Sequence, residues 1–193
     1  LITDHYKLLV EALKKRDIHK VSFEAAWLSH ALVDGLTPAH HFPYEQELAK
    51  LREGRPKESR TSILKKGLMP GRTKLRMLRN NWKMWGPRGL LISHGFYEFG
   101  VSFIMAPMRF HLCSPTDFDV KTLHEIGIVE YFKRASREVA MLNMYENYYK
   151  TGWTSKLARQ TRDELVPILI KTVTLAWYSA LRDSKLTPTY SKV

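Results

Sequence analysis

The hydrophobic positions of the chain repeat with a helical period almost throughout. Near the start, Tyr6, Leu9, Val10 and Leu13 recur at steps of three and four residues, as they do on one face of an amphipathic helix. Nowhere do apolar and polar residues alternate with the period of two that is typical of a strand. The pattern therefore predicts an all-α protein.

The same period predicts further helices after a break near Asp17. We expect them over about 21–33, 74–85, 88–105 and 154–182, with another that runs from a start signal at 114–117 to about 149. Pro167 should kink the last helix. The segments 54–56 and 69–71 combine Gly and Pro in the manner of turns.

Length and composition favour a globular chain with one core. With 193 residues and a hydrophobic share of 44%, the chain is long enough to fold as a single domain. The stretch at about 43–87 differs in composition, because it is rich in Lys and Arg and has only four acidic residues, Glu45, Glu47, Glu53 and Glu58. We interpret 1–193 as a single helical domain with a basic insertion at about 43–87.

The formal charge of +12 favours anionic partners such as phosphates, nucleic acid or an acidic membrane surface. In the predicted helix at 74–85, apolar residues are mixed with cations. Its candidate anion or membrane contacts are Lys74, Arg76, Arg79, Trp82, Lys83 and Trp85. Three interpretations stay open: a helix at a membrane interface, a surface for nucleic acid, or an ordinary helix whose tryptophans pack on the core.

Other features limit the possible classes of protein. Cys113 is the single cysteine, so neither an intramolecular disulfide nor a Cys-rich zinc site can form. We find no uninterrupted apolar run of about 18 residues and therefore expect no transmembrane span. The chain begins at Leu1 rather than Met and shows no signal-peptide pattern. The sequence does not indicate an oligomeric state.

Two pairs of metal-ligating residues stand out. His30 and Asp34 are four residues apart on a predicted helix, so both project from one face, and His40 follows after Pro38 turns the chain. His94 and Glu98 have the same spacing. Two histidines and a carboxylate form a sensible zinc set with open positions for water.

Chance must be weighed for such pairs. A third pair with the same spacing, His41 and Glu45, is interrupted by Pro43 and is best explained by chance. The order of the other residues is more informative than either pair alone. A His-x3-Asp-x5-His run with Pro two residues before the last His is followed by His-x3-Glu.

That order resembles the bacterial zinc-dependent phospholipase C and S1/P1 nuclease family. The matching segments are His30-Ala-Leu-Val-Asp34-Gly-Leu-Thr-Pro38-Ala-His40 and His94-Gly-Phe-Tyr-Glu98. The resemblance covers both ends of the chain but not the basic insertion, and in these relatives the two motifs lie closer together. It implies a compact multi-helix fold and an exported or extracytoplasmic protein.

The resemblance also implies roles for the residues. His30 and Asp34 are expected to bind one metal, with Asp34 bridging to a second ion as the catalytic carboxylate, and His40, His94 and Glu98 to form another site. One to three zinc ions are expected to activate water for attack on phosphorus in a phospholipid, a nucleic acid or another phosphoester. The general base stays unassigned.

In the family, further ligands come from upstream of the motif. Within this chain the candidates for that role are Asp4 and His5. Two interpretations of its N-terminal side stay open: an upstream segment that is absent from this chain, or a metal cluster reduced to one or two ions. The leading hypothesis is a metal-dependent phosphodiester hydrolase with possible peripheral membrane contact. The alternative is a non-catalytic metal-binding helical domain whose basic insertion docks on a membrane, a nucleic acid or a protein.

Overall fold

A computed structural model of the chain describes residues 1–56 and 67–186. Regular secondary structure in these residues is entirely helical, and the prediction of an all-α fold is confirmed. The α-helices are α1 (Ile2–Lys15), α2 (Ile18–Gly35), α3 (Tyr44–Leu51), α4 (Lys74–Trp85), α5 (Leu90–Met105), α6 (Asp117–Met141), α7 (Met144–Thr151), α8 (Ser155–Gln160) and α9 (Val166–Asp183). Short 3-10 helices lie at Pro38–His41 and Phe110–Cys113, and a π-helical turn, Thr161–Leu165, joins α8 to α9.

The chain divides into two compact units. Among the described residues, the first unit combines 1–37, 107–142 and 159–186, and the second combines 38–56, 67–106 and 143–158. Residues 43–56 and 67–87 of the predicted insertion lie in the second unit, and its residues 57–66 lie outside the described residues.

The first unit is built on a large apolar core. Helix α9 packs against α1, α2 and α6. The buried core residues are Leu9, Leu13, Leu28, Leu32, Leu123, Ile128, Leu175, Ala176 and Ala180. Burying a leucine side chain contributes roughly 1.5–3 kcal/mol, so this cluster is the main source of stability of the unit.

The second unit has a smaller aliphatic core and a cluster of aromatic rings. Met69, Met84 and Leu90 are buried together, with Phe42 and Tyr44 packed against them. The rings of Tyr97, Tyr145, Tyr148 and Trp153 contact one another beside this cluster. The unit therefore relies more on aromatic packing than the first unit does.

Helix boundaries differ from the sequence predictions at three places. The helix predicted from about 21 starts earlier, at Ile18. Asp17 is its N-cap, because the Asp17 side chain accepts a hydrogen bond from the backbone N–H of Lys20 at 3.1 Å. The helix predicted to reach 149 ends at Met141, because Asn143 adopts a left-handed φ of 50°. The irregularity expected at Pro167 lies just before it, in the π-helical turn.

One helical stretch of the described residues, Ser155–Asp183, is long and apolar enough to cross a membrane by length and composition alone. Its α9 part packs against the other helices of the first unit, and the core helix of a globular protein passes the same criterion. The expectation that no helix spans a membrane stays a prediction.

Candidate metal centre

Three predicted ligands meet in the second unit. The 3-10 helix Pro38–His41 carries His40, and α5 carries His94 and Glu98 one turn apart. Glu98 Oε1 lies 3.0 Å from His94 Nε2 and 3.4 Å from His40 Nε2. The ligand atoms of the three residues all lie within 4.8 Å of one another. The structure thus brings together residues that are 58 positions apart in the sequence.

These separations suit a small divalent cation. Zinc binds nitrogen and oxygen ligands at about 2.0–2.2 Å in a tetrahedron, which places neighbouring ligand atoms about 3.3 Å apart. The two measured separations lie on either side of that value. Two imidazoles and a carboxylate leave one tetrahedral position open, as in catalytic rather than structural zinc sites. The donor set and its spacing therefore fit zinc.

The site is accessible from solvent. The side chains of His40, His94 and Glu98 are 30%, 22% and 45% exposed. The imidazole rings of His40 and His94 stack with centroids 5.2 Å apart and an angle of 13° between their planes. All three predicted ligands are therefore partly exposed to solvent.

The ring of His94 packs on a group of aromatic side chains, Tyr44, Tyr145, Tyr97 and Trp153, which we call the aromatic wall. Tyr44 and Tyr145 contact it at centroid distances of 5.7 and 6.2 Å. Behind them Tyr97 is fully buried and stacks on Trp153 at 5.5 Å. Gly100 makes this packing possible, because a Cβ at that position would lie 2.2 Å from the Trp153 ring. The close packing restricts the orientations that His94 can adopt.

The wall contains buried polar atoms without partners. His94 Nδ1 and the hydroxyls of Tyr44, Tyr97 and Tyr145 have no hydrogen-bond partner among the described residues. Burial raises the pKa of Tyr44 to about 12 and raises the pKa of Tyr97 and of Tyr145 as well. These phenols therefore stay protonated at neutral pH, and the rings of two of them, Tyr44 and Tyr145, contact the ring of the predicted ligand His94.

The other predicted ligands lie in the first unit. Helix α2 places His30 and Asp34 one turn apart, and the ring of His30 meets the edge of Trp27 at 5.8 Å. That they ligate a metal stays a prediction.

The candidate upstream ligands are also in the first unit. Asp4 accepts a hydrogen bond from the amino group of Leu1 at 3.0 Å. His5 Nδ1 lies 2.7 Å from Glu24 Oε2, and its ring stacks on Trp27. Glu24 was not predicted as a partner of His5, and no spacing rule links residues on separate helices. A metal-binding role for Asp4 and His5 stays a prediction.

The predicted contacts on α4 are exposed. Trp82 is 68% exposed. The interpretation that the tryptophans of this helix pack on the core is therefore wrong for Trp82. Trp85 is partly held by a hydrogen bond from its Nε1 to the Gly67 carbonyl at 2.6 Å. Arg76 forms an ion pair with Glu53 at 3.3 Å. Lys74, Arg79 and Lys83 have no ion-pair partner within residues 1–56 and 67–186.

Comparison of the chain with protein-family models, curated proteins and solved structures gives no match. The resemblance to the phospholipase C and S1/P1 nuclease family therefore rests on the motif residues themselves.

Proposed function

We propose that the chain is a metal-dependent phosphoester hydrolase of the phospholipase C type, with zinc held by His40, His94 and Glu98. The observation that carries the proposal is the meeting of two imidazoles and one carboxylate at separations of 3.0 and 3.4 Å on one accessible site. The order of the motif residues gives independent support, because it is the order of the family's ligands.

The chemistry follows from the donor set. His40, His94 and Glu98 would hold the zinc ion, which would lower the pKa of a coordinated water towards neutrality and offset the charge that develops on a phosphoryl group. The residues themselves supply orientation: α5 fixes His94 and Glu98 on one face, and the aromatic wall restricts the His94 ring. The net charge of +12 raises the local concentration of phosphate-containing substrates.

Metal content tests the site directly. We expect the purified chain to retain zinc in elemental analysis and the double variant His40→Ala/Glu98→Ala to lose it. The double variant Glu11→Ala/His19→Ala is the matched control, because it removes one histidine and one glutamate that are exposed in the first unit. Equal zinc in the two variants would contradict the proposed ligands.

Turnover tests the catalytic part of the proposal. We expect zinc-dependent hydrolysis of bis(p-nitrophenyl) phosphate by the wild type and the control variant, and none by His40→Ala/Glu98→Ala. Activity that survives in the latter variant excludes this site as the catalytic centre.

A second candidate function is a non-catalytic metal-binding domain. It is supported by one observation: all three converging ligands come from the second unit, so one ion could be held there without the ligands predicted in the first unit. Zinc at about one ion per chain, lost in the variant but without hydrolysis of any phosphodiester, would select it over the hydrolase.

A further inference from the structure

The apolar face of helix α4 points to solvent, whereas such a face usually points to the core. Leu75, Leu78 and Trp82 recur at steps of three and four residues, and they are 78%, 67% and 68% exposed. An amphipathic helix of a globular protein ordinarily turns such a stripe towards the core. Here the stripe faces outward.

The inner face of α4 is largely polar. Asn80 Nδ2 donates to the carbonyls of Pro70 at 2.8 Å and Leu51 at 3.2 Å. Asn81 exchanges hydrogen bonds of 2.9 Å with the backbone of Met69. Because these amides and the buried Met84 hold the helix in place, the outward stripe is not the result of a loosely attached segment.

Cations border the exposed stripe. Lys74 and Arg79 flank it on the helix surface, and Lys83 follows Trp82 directly. No Asp or Glu occurs between Gly67 and Tyr97, whereas six Lys or Arg do. The apolar stripe and its surroundings therefore present hydrophobic area and positive charge together.

We propose that α4 docks the second unit on an anionic lipid bilayer, with Leu75, Leu78 and Trp82 at the headgroup–acyl boundary and Lys74, Arg79 and Lys83 on acidic headgroups. A helix lying in a membrane interface has this combination of an apolar face and flanking cations, with tryptophan at headgroup level. Single-stranded nucleic acid also attracts cations and stacks on aromatic rings. Two of the three stripe residues are leucines, which cannot stack on bases but are suited to acyl chains.

The proposal deepens the proposed hydrolase function, because docking would favour a phospholipid as substrate. Docking itself needs no metal ion. The two proposals can therefore fail separately: vesicle binding by His40→Ala/Glu98→Ala tests docking with the metal site removed, and zinc content tests the site without lipid.

Flotation with phosphatidylcholine vesicles, with and without phosphatidylglycerol, is the test. We expect binding only to the anionic vesicles, weakening as salt rises. Leu78→Ser/Trp82→Ser should weaken it by about tenfold or more, from the lost apolar area. Ile18→Ser/Phe118→Ser is the matched control, since Ile18 and Phe118 are 72% and 76% exposed in the first unit.

The charges are tested in the same way. Lys74→Gln/Lys83→Gln should weaken binding by about 25-fold at low salt, at roughly fivefold per cation. Lys14→Gln/Lys15→Gln removes the same charge from the exposed end of α1 and should have a smaller effect. Similar losses in the α4 variants and their controls would overturn the proposal.

Other occupants give distinct results. Absence of vesicle binding together with tight binding of single-stranded RNA overturns the proposal in favour of a nucleic-acid surface. Sedimentation that shows a dimer for the wild type and a monomer for Leu78→Ser/Trp82→Ser, again without vesicle binding, overturns it in favour of a second copy of the chain.

Discussion

One helix from each unit of the chain shows a contrast in where its apolar stripe points. In the first unit, α1 turns its apolar stripe inward and buries Leu9 and Leu13 in the core. In the second unit, α4 turns an equally clear stripe outward and buries the amide of Asn80 instead. Both helices have the same kind of sequence pattern, so the pattern predicts a stripe but not what covers it.

Tyrosine hydroxyls show the same contrast. In the first unit, the Tyr6 hydroxyl lies 2.8 Å from Ser179 Oγ and donates to Asp183 at 2.7 Å, and Tyr131 donates to Asp119 at 3.3 Å. In the second unit, the buried hydroxyls of Tyr97 and Tyr145 have no partner among the described residues.

The contrast extends beyond tyrosine. All the buried side-chain polar atoms without a partner in the described residues belong to the second unit: Tyr44 OH, Arg52 Nε, Glu53 Oε2, His94 Nδ1, Tyr97 OH and Tyr145 OH. Within the described residues, the first unit thus leaves no buried side-chain polar atom without a partner, whereas the second unit leaves six. This difference supports the location that we propose for the metal.

We expect the largest effect on the free energy of unfolding from alanine substitutions of leucines in the two stripes. Leu9→Ala should lower the free energy of unfolding by about 2–5 kcal/mol, because it leaves a cavity in the first core. Leu75→Ala should change it by less than about 0.5 kcal/mol, because the side chain is exposed. Urea unfolding of both variants measures the difference. Equal costs would mean that something covers α4 in solution.

The inward amide of α4 should have an intermediate effect. Asn80→Ala removes the buried amide that donates hydrogen bonds to the Leu51 and Pro70 carbonyls. We expect a cost of about 1–3 kcal/mol in the free energy of unfolding. Asn147→Ala, at an exposed position of α7, is the control and should be close to neutral. A neutral Asn80→Ala would show that the amide does not fix the orientation of α4.

The sequence predicts the helices better than their surroundings. Periodicity is a local property, and α4 begins and ends where the pattern predicts. The spacing of His94 and Glu98 likewise guarantees that both lie on one face of α5. The approach of His40 to them depends on a 3-10 helix and its packing, and without the family resemblance no periodicity would have indicated it.

The exposed stripe and the unpartnered phenols could not be predicted at all. Whether Trp82 is buried depends on which residues of other segments reach it, and Asn80 and Asn81 decide this by bonding to the backbone of residues 51, 69 and 70. A left-handed Asn143 is compatible with the sequence, because asparagine tolerates that region, but the helical period continues through it. Such features arise from tertiary packing rather than from local pattern.

A matched pair of tyrosines gives the smallest effect and the sharpest test of the contrast between units. Tyr6→Phe removes a hydroxyl that bonds Ser179 and Asp183, and it should lower the free energy of unfolding by about 1 kcal/mol or somewhat more. Tyr97→Phe removes a buried hydroxyl without a described partner, so the free energy of unfolding should be unchanged or slightly raised. Thermal and urea unfolding of both variants in zinc-free buffer provide the measurement. If Tyr97→Phe costs as much as Tyr6→Phe, the Tyr97 hydroxyl is hydrogen-bonded in solution and does not contribute to the contrast between the units.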